Sequence, residues 1–298
     1  MTAREKGFLL LGSSLGEAQR KPLSTAQLRT LAQRVATMEK PMVDRELTAQ
    51  DLISIGYGPE MADRILSLLS ETQLLQRYLH RAQQAGCVPL TRVSPNYPNH
   101  LRRRLGLDSP GVLWAKGDVS LLGRPQISLV GSRDIDKENA IFAAEAGREA
   151  ARQGYVLVSG NARGADRIAQ QACLQAGGEV ICVVADELNL QKNTPGVLYL
   201  SEGEFDLPFS SVRALSRNRV IHSLGEKTLV AQCTAGIGGT WSGTVHNLKA
   251  GWSPVFCFRD GSEAACQLEQ MGASLIDRQQ LEQLSSLTDG TISFFKEK

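Results

Sequence analysis

The 298-residue chain has few of the features that mark a metal, redox or nucleotide-cofactor protein. It holds four histidines and six cysteines. The nearest two cysteines are nine residues apart, so there is no CxxC pair for zinc or thioredoxin-like chemistry. No HExxH or paired-carboxylate context surrounds a histidine, and no metal or other cofactor is expected. GxGxxG is absent, which removes the usual dinucleotide fingerprint, and GKT/GKS is absent, which removes a Walker A loop. The longest apolar runs, 127–130 and 180–185, fall far short of the ~20 residues of a membrane span. The N-terminal apolar stretch, Phe8 to Leu11, is shorter than the ~7–15 residues of a signal-peptide core. The expectation is a cytoplasmic protein without membrane contact.

What remains is an ordinary globular composition, 42% hydrophobic and 21% charged with 28 glycines. At roughly 150 residues per domain the length is about two domains' worth. The net charge of +2 hides an asymmetry: residues 1–125 carry 17 basic and 11 acidic side chains, residues 126–298 carry 16 and 20. Excess Lys and Arg is the footprint of a polyanion partner, but chance division between two surfaces gives the same count.

Residues 1–86 read as a small helical module. Ser24 with Gln27 and Thr48 with Asp51 are capping-box pairs, each followed by apolar residues at helical spacing. Gly56-Tyr57-Gly58 separates two short helices, an outline shared by sterile-alpha-motif-like bundles and helix-hairpin-helix modules; in the latter, backbone N–H groups can hold a DNA phosphate. Residues 87–125 are rich in Pro and turns yet apolar enough to pack as a connector on a core. From 126 to 285 the pattern is strand–helix alternation. Six strands are expected at 127–131, 155–159, 179–184, 197–201, 227–233 and 254–258, with helices at 138–153, 164–176, 211–224, 242–250 and 262–272. The expected fold is α/β: a Rossmann-like, doubly wound, mainly parallel sheet behind an N-terminal all-helical module, with a tail at 286–298. Such sheets bind ligands at the carboxyl ends of their strands.

Those ends carry the candidate residues. Gly131-Ser132-Arg133 offers close backbone approach, a hydroxyl and a planar phosphate fork. The run from Ser159 through Gly160, Asn161, Ala162, Arg163, Gly164 and Ala165 to Asp166 is either a nest of N–H donors at a helix start or a tight βα turn. Glu202 follows the fourth strand. Arg217-Asn218-Arg219 sits on the next helix, where salt bridges to Glu202, Glu204 and Asp206 compete with an anion as the arginines' partner. The stretch 236–244 is the most specific local signal. It packs Gly236, Gly238, Gly239 and Gly243 with Thr240, Trp241, Ser242 and Thr244 before a helix.

In this order the motifs resemble the DNA-processing protein A (DprA/Smf) family, from about Asn96 to Leu284. Tyr97-Pro98 and the run from Pro110 to Gly117 are similar to the family's entry into its Rossmann domain; Arg217-Asn218-Arg219-Val220-Ile221 and Gly272-Ala273 complete the set. The resemblance implies DNA processing in recombination or transformation. Its members bind single-stranded DNA as dimers and pass it to a RecA-type recombinase, through a pocket matching Gly131, Ser132, Arg133 and residues 159–166, with Arg217 and Arg219 on its helix. It implies no catalytic residue. The chain departs from the family at Gln170 and Gln171, where a His is usual, and at Gln232, where a Glu is usual. Only fourteen residues follow Leu284, so the expectation is a shortened, divergent member without the winged helix of many relatives.

A rival enzyme reading comes from the same glycines. Gly238-Gly239-Thr240-x-Ser242-Gly243-Thr244 also resembles the loop of lysine-decarboxylase-like (LOG) phosphoribohydrolases, whose Gly-Gly-x-Gly-Thr-x-x-Glu ends in a carboxylate. Here that position is Asn247, which cannot serve as a carboxylate base. Glu202 is the candidate substitute, and a non-catalytic nucleotide sensor is the third reading.

Overall fold

The computed structural model describes residues 1–38 and 47–288. Helices α1 (Ala3–Gly12), α2 (Thr25–Ala36), α3 (Ala49–Ser54), α4 (Pro59–Ser70) and α5 (Thr72–Gln84) come first. Both expected capping boxes form, and Thr2 with Glu5 makes a third at the start of α1. Each satisfies N–H groups that a helix start otherwise leaves open. The chain continues through β1 (Cys87–Thr91), α6 (Asn99–Leu105), β2 (Val112–Lys116), β3 (Gln126–Val130), α7 (Lys137–Arg152), β4 (Val156–Ser159), α8 (Ala165–Gln175) and β5 (Val180–Val183). It then runs through β6 (Val197–Ser201), α9 (Ser211–Ser216), α10 (Asn218–Leu224), β7 (Thr228–Val230), α11 (Gly238–Ala250), β8 (Val255–Phe258), α12 (Glu263–Gln270) and β9 (Ser274–Ile276).

The strands form one sheet in the order β1-β2-β6-β5-β4-β3-β7-β8-β9. From β6 to β9 every pairing is parallel, while β1 and β2 are antiparallel additions at one edge. From β3 the chain winds outward to β6, then returns to place β7 on the other side of β3. The carboxyl ends of β3, β4 and β7 therefore face the crevice where strand order reverses, the ligand position of doubly wound folds.

Six strands were expected and nine form among the described residues. The three additions are β1 and β2, inside the stretch read as a connector, and the short β9. The helix expected at 211–224 is broken at Arg217 into α9 and α10. The tail's residues 289–298 lie outside the described residues.

Helices cover both faces of the sheet, so the central strands are buried without alternation: β3, β4 and β5 are buried along their whole length, the polar Gln126, Ser128 and Ser159 included. One face packs on α1, α5, α7 and α8, with Phe142 stacked on Phe258 at 4.5 Å. The other packs on α6, α10 and α12. The helical segment divides accordingly: α1 and α5 share the sheet's core, whereas α2, α3 and α4 close over a small core of their own around Leu31, Leu52 and Ile65.

One buried carboxylate ties the N-terminal helices to the sheet. Glu204, just past β6, accepts hydrogen bonds from the Ser13 hydroxyl (2.9 Å), the Ser14 hydroxyl (2.7 Å), the Gly16 N–H (3.2 Å), the Tyr78 hydroxyl (3.2 Å) and the Ser14 N–H. The single Tyr78 proton is shared between Glu204 and the nearer Asp206 (2.8 Å), and Arg81 pairs with Asp206 at 2.7 Å. Removing the charge leaves several buried donors facing an amide. Glu204→Gln is expected to lower unfolding stability by about 2–3 kcal/mol, read from urea denaturation.

Candidate nucleic-acid interface

The crevice is built from two loops packed backbone on backbone. Gly131 ends β3 between Ala165 at the start of α8 and Ala231 beyond β7, where a Cβ would overlap the Ala165 methyl. Gly164 has φ +85°, a left-handed conformation that suits glycine, and a side chain there would strike the carbonyls of Ser132 and Arg133. The Ala165 N–H closes the joint by donating to the Ser132 carbonyl at 3.1 Å. The third glycine segment joins from the opposite side. Thr240 donates to the Gly131 carbonyl (2.9 Å) and Asn218 to the Gly239 carbonyl (3.0 Å). Helix α11 begins at Gly238 with no side chain capping it, which leaves its positive end to the crevice.

Beneath the 160–164 loop lies Asp166. It is buried and accepts from the N–H groups of Gly160 (3.1 Å) and Ala162 (3.2 Å). Burial pushes its carboxyl above the ordinary range, against the pull of the Arg217 guanidinium and of those two N–H groups. Arg217 is buried as well, at the break between α9 and α10. It donates to the Gly160 carbonyl at 3.1 Å, and its guanidinium fills the space a Gly160 side chain would take. Burial and the neighbouring charge of Arg133 push Arg217 down, while Asp166 holds it up. Arg217 is thus a strut inside the loop's support rather than a side chain reaching for solvent.

The other arginines divide sharply. Arg219 is half-buried, bound to Glu202 (2.6 Å) and to the Asp108 carbonyl (2.6 Å), so the carboxylate expected on the ligand rim is spent on an arginine. Arg163 is exposed and pairs with Asp134 at 2.6 Å. Arg133 is exposed and has no hydrogen-bond or ion-pair partner among the described residues. It is a free cation at the mouth of the crevice.

Several expected ligand contacts point elsewhere. Ser159 is buried and donates to the Leu129 carbonyl at 2.8 Å. Thr244 is buried, and Gly243 faces Asn218 and His222. Ser242 is exposed and turns back toward the Gly239 carbonyl at 3.4 Å. Ser132 and Asn218 remain half-exposed at the crevice. Sequence reasoning missed Arg167, exposed in the first turn of α8, four residues beyond Arg163 in the loop before that helix. Among the described residues no group of three or more His, Cys, Asp or Glu is arranged to hold a metal ion, and no helix is long and apolar enough to cross a membrane.

Comparison with known proteins identifies the lineage. The model of the family described as DNA recombination-mediator protein A matches residues 89–287. The chain belongs to this family. It is 30% identical over 164 residues to DNA processing protein DprA of Bacillus subtilis, covering 51% of this chain and 54% of that protein. The Streptococcus pneumoniae protein of the same name is 34% identical over 138 residues, covering 42% and 48%. These sequence matches span only about half the length of the relatives. The crystal structure of the S. pneumoniae protein superposes with a TM-score of 0.71 at 25% identity, over 97% of this chain and 99% of that one. A Helicobacter pylori family member, whose structure concerns its single-stranded DNA binding mode, superposes with a TM-score of 0.54 at 25% identity, over 64% and 90%. The family match contains the whole crevice, from Gly131 to Thr244.

The position of the phosphoribohydrolase carboxylate is also settled. Asn247 is fully buried; its amide nitrogen contacts the His222 Nδ1 (3.2 Å) and the Ser253 hydroxyl (3.1 Å), and its oxygen accepts from the Ser253 N–H (3.0 Å). It braces α11 and does not reach the crevice. Burial depresses His222 to about 3. The folded pKa lies below the ordinary 6.5, so below pH 6.5 the unfolded chain binds the extra proton and stability falls as pH drops toward 3. This histidine alone contributes a loss of about 1.4 kcal/mol per pH unit across that window. His222→Gln is expected to flatten the curve there in denaturant titrations from pH 7 to pH 4.

Proposed function

We propose that the protein binds single-stranded DNA through the crevice, with a backbone phosphate held by Arg133, the N–H groups of the 131–133 loop, those N–H groups of the 160–164 loop that Asp166 does not take, and the uncapped start of α11. The observation that carries this reading is the pairing of an unpartnered, exposed Arg133 with glycine loops too tightly joined to admit side chains. Backbone donors and a planar guanidinium take phosphates without reading bases. The binding of single-stranded DNA by the H. pylori relative supports the polymer over a free nucleotide. The role follows the family: a non-catalytic, cytoplasmic DNA-processing protein in recombination or transformation, which protects the strand and passes it to a RecA-type recombinase. The working unit is a homodimer. The exposed apolar side chains Phe209, Val212 and Leu215, with Ile237 ahead of α11, offer a surface for the second copy.

The phosphoribohydrolase alternative has one observation in its favour, the glycine-rich start of α11. Neither Asn247 in its buried network nor Glu202 in its ion pair is placed to assist glycosidic cleavage.

Labelled oligo-dT, duplex DNA and free mononucleotides, titrated at several salt concentrations, test the reading. Oligo-dT is expected to bind with a steep negative salt dependence. Arg133→Ala should weaken it about tenfold and lower the salt slope by about one, without loss of stability. Arg217→Ala should lose binding together with thermal stability, because it empties the support beneath Gly160. Absent or salt-insensitive oligo-dT binding overturns the proposal. Release of free base from a nucleoside monophosphate establishes the enzyme instead.

A further inference from the structure

The crevice does not draw on the basic excess of residues 1–125, 17 Lys and Arg against 11 Asp and Glu. Part of that excess converges on one short turn. After α6 the chain makes a single 3-10 turn, Gly106–Asp108, and each of its carbonyls is held by an arginine. Arg92, just past β1, donates to the Gly106 (2.6 Å) and Leu107 (3.1 Å) carbonyls, and Arg219 of α10 donates to the Asp108 carbonyl. Arg29 of α2 pairs with the Asp108 carboxylate at 2.9 Å.

Arg102 joins them from α6. Its guanidinium lies 5.6 Å from the centroid of the Tyr97 ring, and its side chain has no hydrogen-bond or ion-pair partner among the described residues. Tyr97 donates to the Pro110 carbonyl at 2.7 Å, which sets the ring against the turn. Burial pushes the Tyr97 hydroxyl up, and Ser109 with the charges of Arg92, Arg219 and Arg102 pulls it back, so three guanidinium groups surround one ring. Among the described residues these four arginines meet only two carboxylates, Asp108 and Glu202. Each guanidinium carries five N–H donors, and the Nε groups of Arg29 and Arg102 are buried without a partner. Unmet donors of this kind are costly, and a planar fork suits a phosphate. The side chains of Arg29 and Asp108 are 40% and 67% exposed, so the cluster opens to solvent.

Helix α10 relates the cluster to the crevice. Arg217 at its start supports the 160–164 loop, and Arg219, two residues on, reaches Asp108. The cluster therefore borders the crevice on the β6 side. We propose that it is a second phosphate site, which takes the backbone of a single strand as it leaves the crevice toward the N-terminal helices. The proposal rests on the single-stranded DNA reading and extends it to residues outside the Rossmann-like part of the chain. Arg102 and the spare donors of Arg92 and Arg29 make the contact, while Arg219 joins the two sites. Asp108 is the internal competitor: its carboxylate occupies Arg29 and repels a phosphate.

The test titrates a 20-residue oligo-dT at several salt concentrations against the full chain, Arg102→Ala and Asp108→Asn. Arg102→Ala is expected to weaken binding about three- to tenfold and to lower the salt slope by about 0.7, the share of one single-strand phosphate contact. Asp108→Asn should act in the opposite sense and tighten binding about threefold, because it releases Arg29 and removes a like charge. Residues that merely held the turn would not shift binding in opposite directions. If Arg102→Ala fails to fold, Arg102→Gln is read in its place with the same expectation. Unchanged affinity and slope in the Arg102 variant, or no gain from Asp108→Asn, overturns the second site. Weakened binding by Arg133→Ala under the same conditions then leaves the crevice reading standing. Failure of the wild-type chain to bind oligo-dT overturns both readings.

Discussion

The crevice depends on a buried charge arrangement that never meets a ligand. Asp166 anchors the 160–164 loop from below by accepting two of its N–H groups, and Arg217 holds the same loop through the Gly160 carbonyl. Neither charge is cheap to bury alone, and each offsets part of the other's desolvation. The arrangement fixes a loop whose glycines have given up side-chain packing. Without it, Gly164 would have little to keep it against the Ser132 and Arg133 carbonyls, and Arg133 would lose its platform.

That constraint explains why the sheet is built as it is. The loops after β3 and β4 meet only because those strands are neighbours at the reversal of strand order, and α11 aims its start at Gly131 only because β7 lies on the other side of β3. The additions at the edges serve a different end. Strands β1 and β2 extend the sheet beyond β6 and present a face for α1 and α5, while Glu204 fastens the turn after α1. The helical segment is therefore part of the framework at both of its ends. Only α2, α3 and α4 pack chiefly on one another.

How much was legible in the sequence follows from local versus distant causes. The strands from β3 to β8 show as β-rich runs because nearly all of their residues are buried, with Tyr199 of β6 half-buried. Strand β1 was read as connector because Pro89 breaks the strand pattern; an edge strand tolerates proline, since one side of it needs no ladder partner. Helix α1 was overlooked although Thr2-Ala3-Arg4-Glu5 carries the same capping signature that revealed α2 and α3. At the site, the glycine loops and the arginines were found, but not their division of labour. Burial of Arg217 depends on the end of β4 lying under α9 and α10, which no spacing encodes. Thr244 and Asn247 turn inward because they lie one helical turn apart on the inner face of α11.

Charge placement then decides what the crevice can distinguish. The second part of the chain is the more acidic, with 16 basic against 20 acidic residues, and much of that acid is spent locally. Asp134 holds Arg163 and Glu202 holds Arg219, so two of the expected phosphate cations are already paired. What is left for an anion is Arg133, the exposed Arg167, backbone N–H groups and a helix start. Such donors position a phosphate, yet they carry no information about the base attached to it. Any preference among strands must come from groups that meet a base edge. Next to the loop, Gln170 and the exposed Arg167 carry donors without a partner among the described residues.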